Sequence, residues 1–324
     1  MLPRIRYGIP WHTLKGSVLG RFIARRIGRS LLTLWLVVSV SFIVLHLSGD
    51  PAQAMLGREA SGEAIAAFRK SYGLDDSIPT QYLRYLKELG SGNLGTSMQY
   101  HRPVTDLFFQ RLPATLELAA FALIVAVGIG VPAGTLAALK RNSIWDRVTM
   151  LTAFAGHSAP SFFIGIMMIF TLSLRLHWFP SSGRGDVKQL VMPGLSMSVG
   201  LLAGLARMTR SSVLEAAQAD YIRTARAKGL PERRVVTWHI LRNASIPIVT
   251  MSGMWISGII GGSAVIETVF AWPGVGRLIV GAVTRRDFPV VQTTILFISL
   301  SVISLNLIVD LIYGWLDPRI SVVS

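Results

Sequence analysis

The 324-residue sequence contains no cysteine. Disulfides, thiolate-bound metals and cysteine nucleophiles are thereby excluded. The lack is compatible with segments that meet an oxidising compartment. Acid is also scarce, with 17 Asp and Glu against 32 Lys and Arg and a net charge of +15. Charged residues of both signs reach only 15%, whereas apolar residues make up 51%, a balance that argues against a soluble protein. No Gly-Lys pair occurs, so no phosphate-cradling loop can be built. His-Glu-x-x-His and Gly-x-Ser-x-Gly are absent too. No pair of carboxylates lies inside the apolar runs to suggest intramembrane protease chemistry. The sequence offers no catalytic residue and no metal site, and the chain is expected not to be an enzyme.

What is present is a set of six runs free of Asp, Glu, Lys and Arg: Ser30–Gly49, Leu118–Leu139, Val148–Leu174, Gln189–Ala206, Asn243–Ile266 and Phe288–Val309. Each is long enough to cross a hydrocarbon core of about 30 Å as a helix. The expected fold class is an all-α membrane protein with six transmembrane helices. The first run, residues 30–49, has no obvious cleavage site and exceeds a usual signal core, so it is read as a retained span.

The excess of positive charge is distributed as in a membrane protein rather than as in a nucleic-acid binder. Residues 1–29 carry Arg4, Arg6, Lys15, Arg21, Arg25, Arg26 and Arg29 and no acid. They form a basic segment whose apolar residues can touch lipid while its arginines meet anionic headgroups. The turn after the second run has Lys140, Arg141 and Arg147, whereas acids and bases balance over residues 50–112. The positive-inside pattern places both termini, including the tail 320–324, in the cytoplasm and residues 50–112 outside. Nucleic acid is not an expected partner; membrane lipid is.

Taken in order, Gly49-Asp50-Pro51 stops the first run. Residues 50–112 then read as a small helical insertion, with helical spacing over Glu63–Tyr72 and Gln81–Leu89 and a break at Gly90–Gly92. Residues 113–319 form a five-helix core. Gly128, Gly130 and Gly134 permit close helix contact there, and Pro160 should kink the third span. The fourth is expected to continue past the membrane through Arg207, Arg210 and Glu215. Residues 267–289 return outside, with a short helix over Val275–Thr284. Glu117, His157, Ser158, Ser161, Glu267 and Asp310 are polar groups in or at the ends of spans, and so candidates for a pathway or gate. His157 stands alone, without a carboxylate at metal-ligand or triad spacing.

A basic loop, residues 207–245, joins the fourth and fifth spans. Within it, DYIRTARAKGLPERRVVTWHILRNASIPIVT, residues 220–250, reads as helix, glycine turn, helix. Asp220 can cap the first helix, Gly229 supplies a left-handed turn, and Pro231 with Glu232 can open the second. Arg223–Gly229 (RTARAKG), Arg233–Val235 and His239–Pro247 resemble the coupling loop of ABC importer permeases, in the form used by the dipeptide, oligopeptide and nickel branch. The general importer signature has Glu-Ala-Ala with glycine six residues after its first member. Here Arg223-Thr224-Ala225 stands before Gly229, so only the alanine is kept, and Pro231 replaces an expected serine. Glu215-Ala216-Ala217 has the triplet but Tyr221 at its glycine position. Further segments resemble the same branch: GDPA, LGLDDSIPTQYLRYL and NLGTSMQYHRPV in the insertion, E-x-VF-x-WPG-x-GRL with RDFPV-x-Q in the return, and Asn306 with Asp310 near the end.

The resemblance implies a type I ABC importer permease fold, in the subunit type with the larger periplasmic insertion. It implies a bacterial inner-membrane location and transport of di- or oligopeptides, or a related small solute. It also implies a homologous second permease as heterodimer partner, two ATPase domains or subunits that bind ATP and Mg, and an external solute-binding protein. This chain is expected to bind no cofactor. Arg223, Thr224, Ala225, Arg226, Ala227, Lys228 and Gly229 would couple it to the ATPase, with Ala225 small so as to enter a groove and Arg226 and Lys228 meeting acidic groups at its rim. The competing reading, a membrane-embedded enzyme or sensor with a basic loop, needs polar catalytic clusters in the spans or a base-reading loop, and the sequence shows neither.

Overall fold

Apolar runs without a helix breaker form helices that overshoot the runs themselves. The computed structural model describes residues 16–57 and 60–316, with side chains from Arg26 to Ile308 apart from several positions between 246 and 262. Helix α1, Gly16–Leu47, is 32 residues long, or about 48 Å. It starts well before the charge-free run at Ser30, because nothing over residues 16–29 interrupts a helix. The described part of the basic segment therefore continues into the first span rather than forming a separate helix. Residues 1–15 and the tail 320–324 lie outside the described residues.

Gly49, with φ +115°, turns the chain. Asp50 then caps α2, Pro51–Leu56, by accepting from the Ala52 N–H at 2.9 Å. In the insertion, Ser61 caps α3, Gly62–Ser71, and α4 spans Ile78–Gly90. Arg69 fastens this cap to the end of α1, reaching Asp50 and Asp75 at 2.7 Å each.

Helix α5, Val104–Leu139, begins eight residues before the entry expected at Leu112 and carries Pro113 and Pro132 inside it. The helix thus reaches back into the segment 50–112 expected as the insertion. Helix α6, Ile144–Ser158, and α7, Ser161–Met168, meet at 98° around Pro160, a sharper break than a kink. A π-helical stretch, Ile169–Arg175, extends α7. Helix α8, Val187–Gln218, opens on a capping box of Asp186 and Gln189 and runs beyond Ala206 through Arg207, Arg210 and Glu215.

Beyond it come α9, Asp220–Ala227, α10, Glu232–Arg234, and a second π-helical stretch, Val235–Ile240, leading into α11, Leu241–Gly262. Helices α12, Ala264–Val269, and α13, Val275–Arg285, form the return, and α14, Phe288–Leu316, closes the described chain.

Among the described residues, four helices are long and apolar enough to cross a membrane, or five if the bent pair α6–α7 is one span. Helix α11 lies on the remaining charge-free run. No strand forms among these residues beyond the isolated bridge between Thr96 and Pro103.

Helices α5 and α8 pack along most of their length. Small residues make this possible. A Cβ on Gly134 would run into the Ala206 carbonyl, and one on Gly130 would sit 3.0 Å from the Leu202 carbonyl, whereas Gly128 faces open space. Two of the three expected contact glycines therefore serve that contact. One buried cluster joins α5, α8, α9 and α11 through Ala126, Leu205, Val213, Ile222, Val235, Ile240 and Ile248. At the other end, Leu118, Met192, Ile266, Phe270 and Trp272 pack together. Leu31, Leu32, Trp35, Leu36, Ile43 and Val44 leave an apolar exposed face on α1, as a lipid solvent favours.

Candidate functional site

The basic loop is built on α9, whose two faces differ. Ile222 and Ala225, three residues apart, are buried against Val213 of α8 and Val235 and Ile240 of the π-helical stretch. Arg223, Thr224, Arg226, Ala227 and Lys228 are exposed. The helix starts differently from the expectation: Ala219 takes the extended cap conformation and Asp220 is the first helical residue, with no side-chain cap bond. Because α8 runs to Gln218, the chain has only Ala219 in which to turn. Asp220 instead lies 3.7 Å from Arg223 on the surface.

The end of α9 is a Schellman turn. Gly229, at φ +75°, donates to the Arg226 carbonyl at 2.9 Å, and Leu230 donates to the Ala225 carbonyl at 3.4 Å. Leu230 then packs on the same buried cluster as Ala225. Pro231 occupies the cap position of the next helix rather than its first turn. Across the turn the Arg226 guanidinium forks onto Glu232, Nη2 to Oε1 at 2.7 Å and Nε to Oε2 at 3.1 Å. That bond holds the Glu232 carboxyl below the usual carboxylate range and raises the Arg226 guanidinium in turn.

Three features of this surface were not read from the sequence. Ala225 faces the interior, so its small size serves the chain's own packing. Arg226 already has a carboxylate partner within the loop. Trp238, 65% exposed, and Tyr221, 44% exposed, stand outward beside the charges. Val235 and Ile240, five residues apart, mark the buried side of the π-helical stretch and leave Thr237 and Trp238 on the other. Deeper in, Arg210 of α8 forks onto Asp146 at 2.6 and 2.9 Å, with the Asn142 N–H on the same carboxylate at 2.9 Å. This ties the α5–α6 turn to the extension that carries the loop.

The pathway candidates fall in separate places. His157 and Ser158 end α6, and Ser161 begins α7; all three are exposed at the 98° elbow. Glu117 pairs with Arg184 at 2.7 Å. Glu267 is fully buried. Its Oε1 accepts from Thr115 at 2.7 Å and Ser263 at 2.9 Å, and its Oε2 accepts from the Arg277 N–H at 2.8 Å. Thr115 in turn accepts from the Val275 N–H, and the Trp272 indole donates to the Ala114 carbonyl. Glu267 is thus the hub that seats the return on α5. The Asp310 side chain lies outside the described residues. Among those residues no group of His, Asp and Glu has the arrangement of a metal site.

Residues 130–322 match the family described as binding-protein-dependent transport system inner membrane component, and residues 19–119 match its N-terminal counterpart. The chain is 38% identical to the dipeptide transport system permease protein DppB of Alkalihalophilus pseudofirmus, over 87% of this chain and 93% of that one. It is 39% identical to the di/tripeptide transport system permease protein DppB of Pseudomonas aeruginosa, over 92% and 98%. It is 40% identical to the glutathione transport system permease protein GsiC of Escherichia coli K12, also over 92% and 98%. Among solved structures, the MetNI methionine ABC transporter in an inward-facing conformation matches with a TM-score of 0.56 at 21% identity, covering 66% of this chain and 98% of that chain. An amino acid ABC transporter matches with a TM-score of 0.54 at 15% identity, covering 65% and 94%. These two likenesses speak to the fold.

Proposed function

The chain belongs to the family of binding-protein-dependent transport system inner membrane components, as a dipeptide/oligopeptide-type ABC importer permease, and from that premise we propose how it couples and what it carries. It is a multi-pass, non-enzymatic membrane subunit; the ATPase resides in partner subunits and a binding protein delivers the solute. The proposed solute is a di- or tripeptide or a peptide of glutathione size, supported by the names of the relatives at about 40% identity. The proposed partners are a homologous second permease, two ATPase domains that bind ATP and Mg, and one external binding protein. The membrane is the bacterial inner membrane, with both termini and the loop 207–245 in the cytoplasm and the insertion outside.

The observation that carries the coupling proposal is the two-faced α9. Its inner face is fused to α8 and α11 by Ile222, Ala225 and Leu230, while its outer face presents Arg223, Arg226, Lys228 and nearby Trp238. A push on the outer face reaches the spans as a rigid-body displacement. Charges at such a surface orient a partner more than they add affinity, and an exposed tryptophan is a fitting anchor.

The test is uptake of a labelled dipeptide into proteoliposomes holding this chain, its second permease, the ATPases and the binding protein. Uptake should need every component and ATP. Uptake by this chain without the ATPases would refute the role. Orientation is read separately. Cysteine at Ser61 should react with an impermeant thiol reagent in intact cells and cysteine at Thr237 should not; the reverse pattern inverts the topology.

A further inference from the structure

His46 lies one residue from the end of α1, where the first span meets the insertion. Its Nδ1 is 2.8 Å from the Phe42 carbonyl and its Nε2 is 3.0 Å from Gln81 Oε1 on α4. The orientation of the Gln81 amide is set by its other end, since Nε2 donates to the Asp76 carbonyl at 2.8 Å and the Leu74 carbonyl at 3.2 Å. Turning the amide over would set its oxygen against those two carbonyls. Both ring nitrogens of His46 therefore face acceptors. A neutral imidazole has one N–H and satisfies one of them; an imidazolium satisfies both. The ring also lies stacked on Phe42, with centroids 3.9 Å apart and planes at 29°, an arrangement in which an aromatic face favours a cation.

We propose that His46 is a proton-binding site at which the imidazolium clasps the insertion to the first span, and that loss of the proton loosens α4 from α1. A cleft of about 630 Å3 opens beside it and gives buffer a route to the ring. The same cleft is lined from α3 by Lys70, from the following turn by Asp75 and Asp76, and from α4 by Arg84, Tyr85 and Glu88. Arg84 pairs with Asp76, and Asp75 with Arg69. The start of α14 adds the neutral Phe288, Pro289 and Gln292 to the lining, and just past the end of α1 the Arg286 guanidinium reaches the Asp50 carbonyl at 3.4 Å. The charges around the clasp thus nearly cancel, leaving the proton on His46 as the variable. With the proton on the ring both acceptors receive a hydrogen bond; without it, one of the two bonds becomes a contact between lone pairs. That the site senses the outside of the cell rests on the topology proposed above.

The test is amide hydrogen exchange over residues 78–86 in the intact importer held in nanodiscs, at about pH 5.5 and about pH 8.5 after correction for intrinsic rates. Exchange in the parent should be about tenfold faster at the higher pH, as expected for the loss of one hydrogen bond to a charged group. His46→Lys, charged throughout, should stay protected at both values. His46→Phe should exchange fast at both. A parent with equal protection at the two values overturns the proposal, as does a pH step that survives in His46→Phe. Should the phenylalanine variant fail to assemble, the parent and the lysine variant still decide. Both faces of a nanodisc meet one buffer, so the result stands apart from orientation, which the cysteine pair tests.

Discussion

Replacing Gly229 by valine isolates the backbone of the turn proposed to couple this chain to its ATPase. A Cβ at this position meets nothing within 4 Å, so no collision complicates the change. What remains is the φ of +75°, in the left-handed region. A Cβ there costs about 1–2 kcal/mol, and a β-branched side chain sits at the upper end. That sum corresponds to roughly a 5- to 30-fold shift in population away from the Schellman turn. The two turn bonds to Arg226 and Ala225 would be lost together, and Leu230 would leave the cluster it shares with Ala225. Insertion of the spans should be unaffected. Stimulation of the partner ATPase by loaded binding protein, and uptake with it, should fall by up to about 5- to 30-fold if each turnover needs the seated turn and that turn is only marginally stable. Gly229→Asn is the control, because asparagine tolerates the left-handed region, and it should retain most activity. The assay is ATPase stimulation and uptake in the same proteoliposomes. A valine variant that couples like the parent would show that this turn does not transmit the stroke.

Ala225→Trp should act from inside the loop, since Ala225 packs on Val235 and Ile240. Overpacking there costs about 1–3 kcal/mol or more, read as faster tryptic cleavage at Arg233 and Arg234 in the isolated chain, before any ATPase is added. Glu267→Ala should lower thermal stability in detergent by several degrees, because Thr115, Ser263 and the Arg277 N–H lose an acceptor at about 1–3 kcal/mol for each buried group left unsatisfied; Glu267→Gln should be milder, and equal effects would refute the hub. Glu232→Gln should weaken the loop by only about 0.2–1 kcal/mol, since both partners of the Arg226 pair are exposed. The Glu232 carboxyl is depressed by this pair, so the pair contributes above the ordinary carboxylate range and is lost as pH falls through the lowered value. Limited proteolysis against pH should open the loop only at the acid end; opening at neutral pH contradicts the assignment.

Much of the architecture was legible because a membrane solvent leaves long charge-free runs, and because Pro160, Gly229 and the insertion helices carry their own local signals. The ends of helices were less so. Helices α1 and α5 start early because charged residues at a span end do not break a helix, and Asp220 lost its cap role because α8 runs on to Gln218 and leaves only Ala219 for the turn. The candidate site was legible as a place rather than as a set of roles. Arg226 and Glu232 are six residues apart across a turn, a spacing that helical pairing rules do not connect. Nothing near Glu267 in sequence shows that Thr115, 152 residues away, donates to it. The inward face of Ala225 depends on Val235 and Ile240 folding back over α9, which no local pattern encodes.

The return just before α14 holds Asp287, and this one carboxylate receives the Ser97 hydroxyl at 2.5 Å and the backbone N–H groups of Met98 and Gln99 at 3.1 and 3.2 Å. Nearby, Thr293 of α14 donates to the backbone carbonyl of Leu94 at 2.7 Å. Three of these four contacts address main-chain atoms, which every residue type supplies. The side chains of Leu94 and Gln99 take no part in these bonds, and Met98 is held by its own burial, whereas the Asp287 carboxylate is common to three of the four contacts. Such an attachment is read from the backbone, so its strength depends on the path that residues 94–99 follow and little on which side chains line that path.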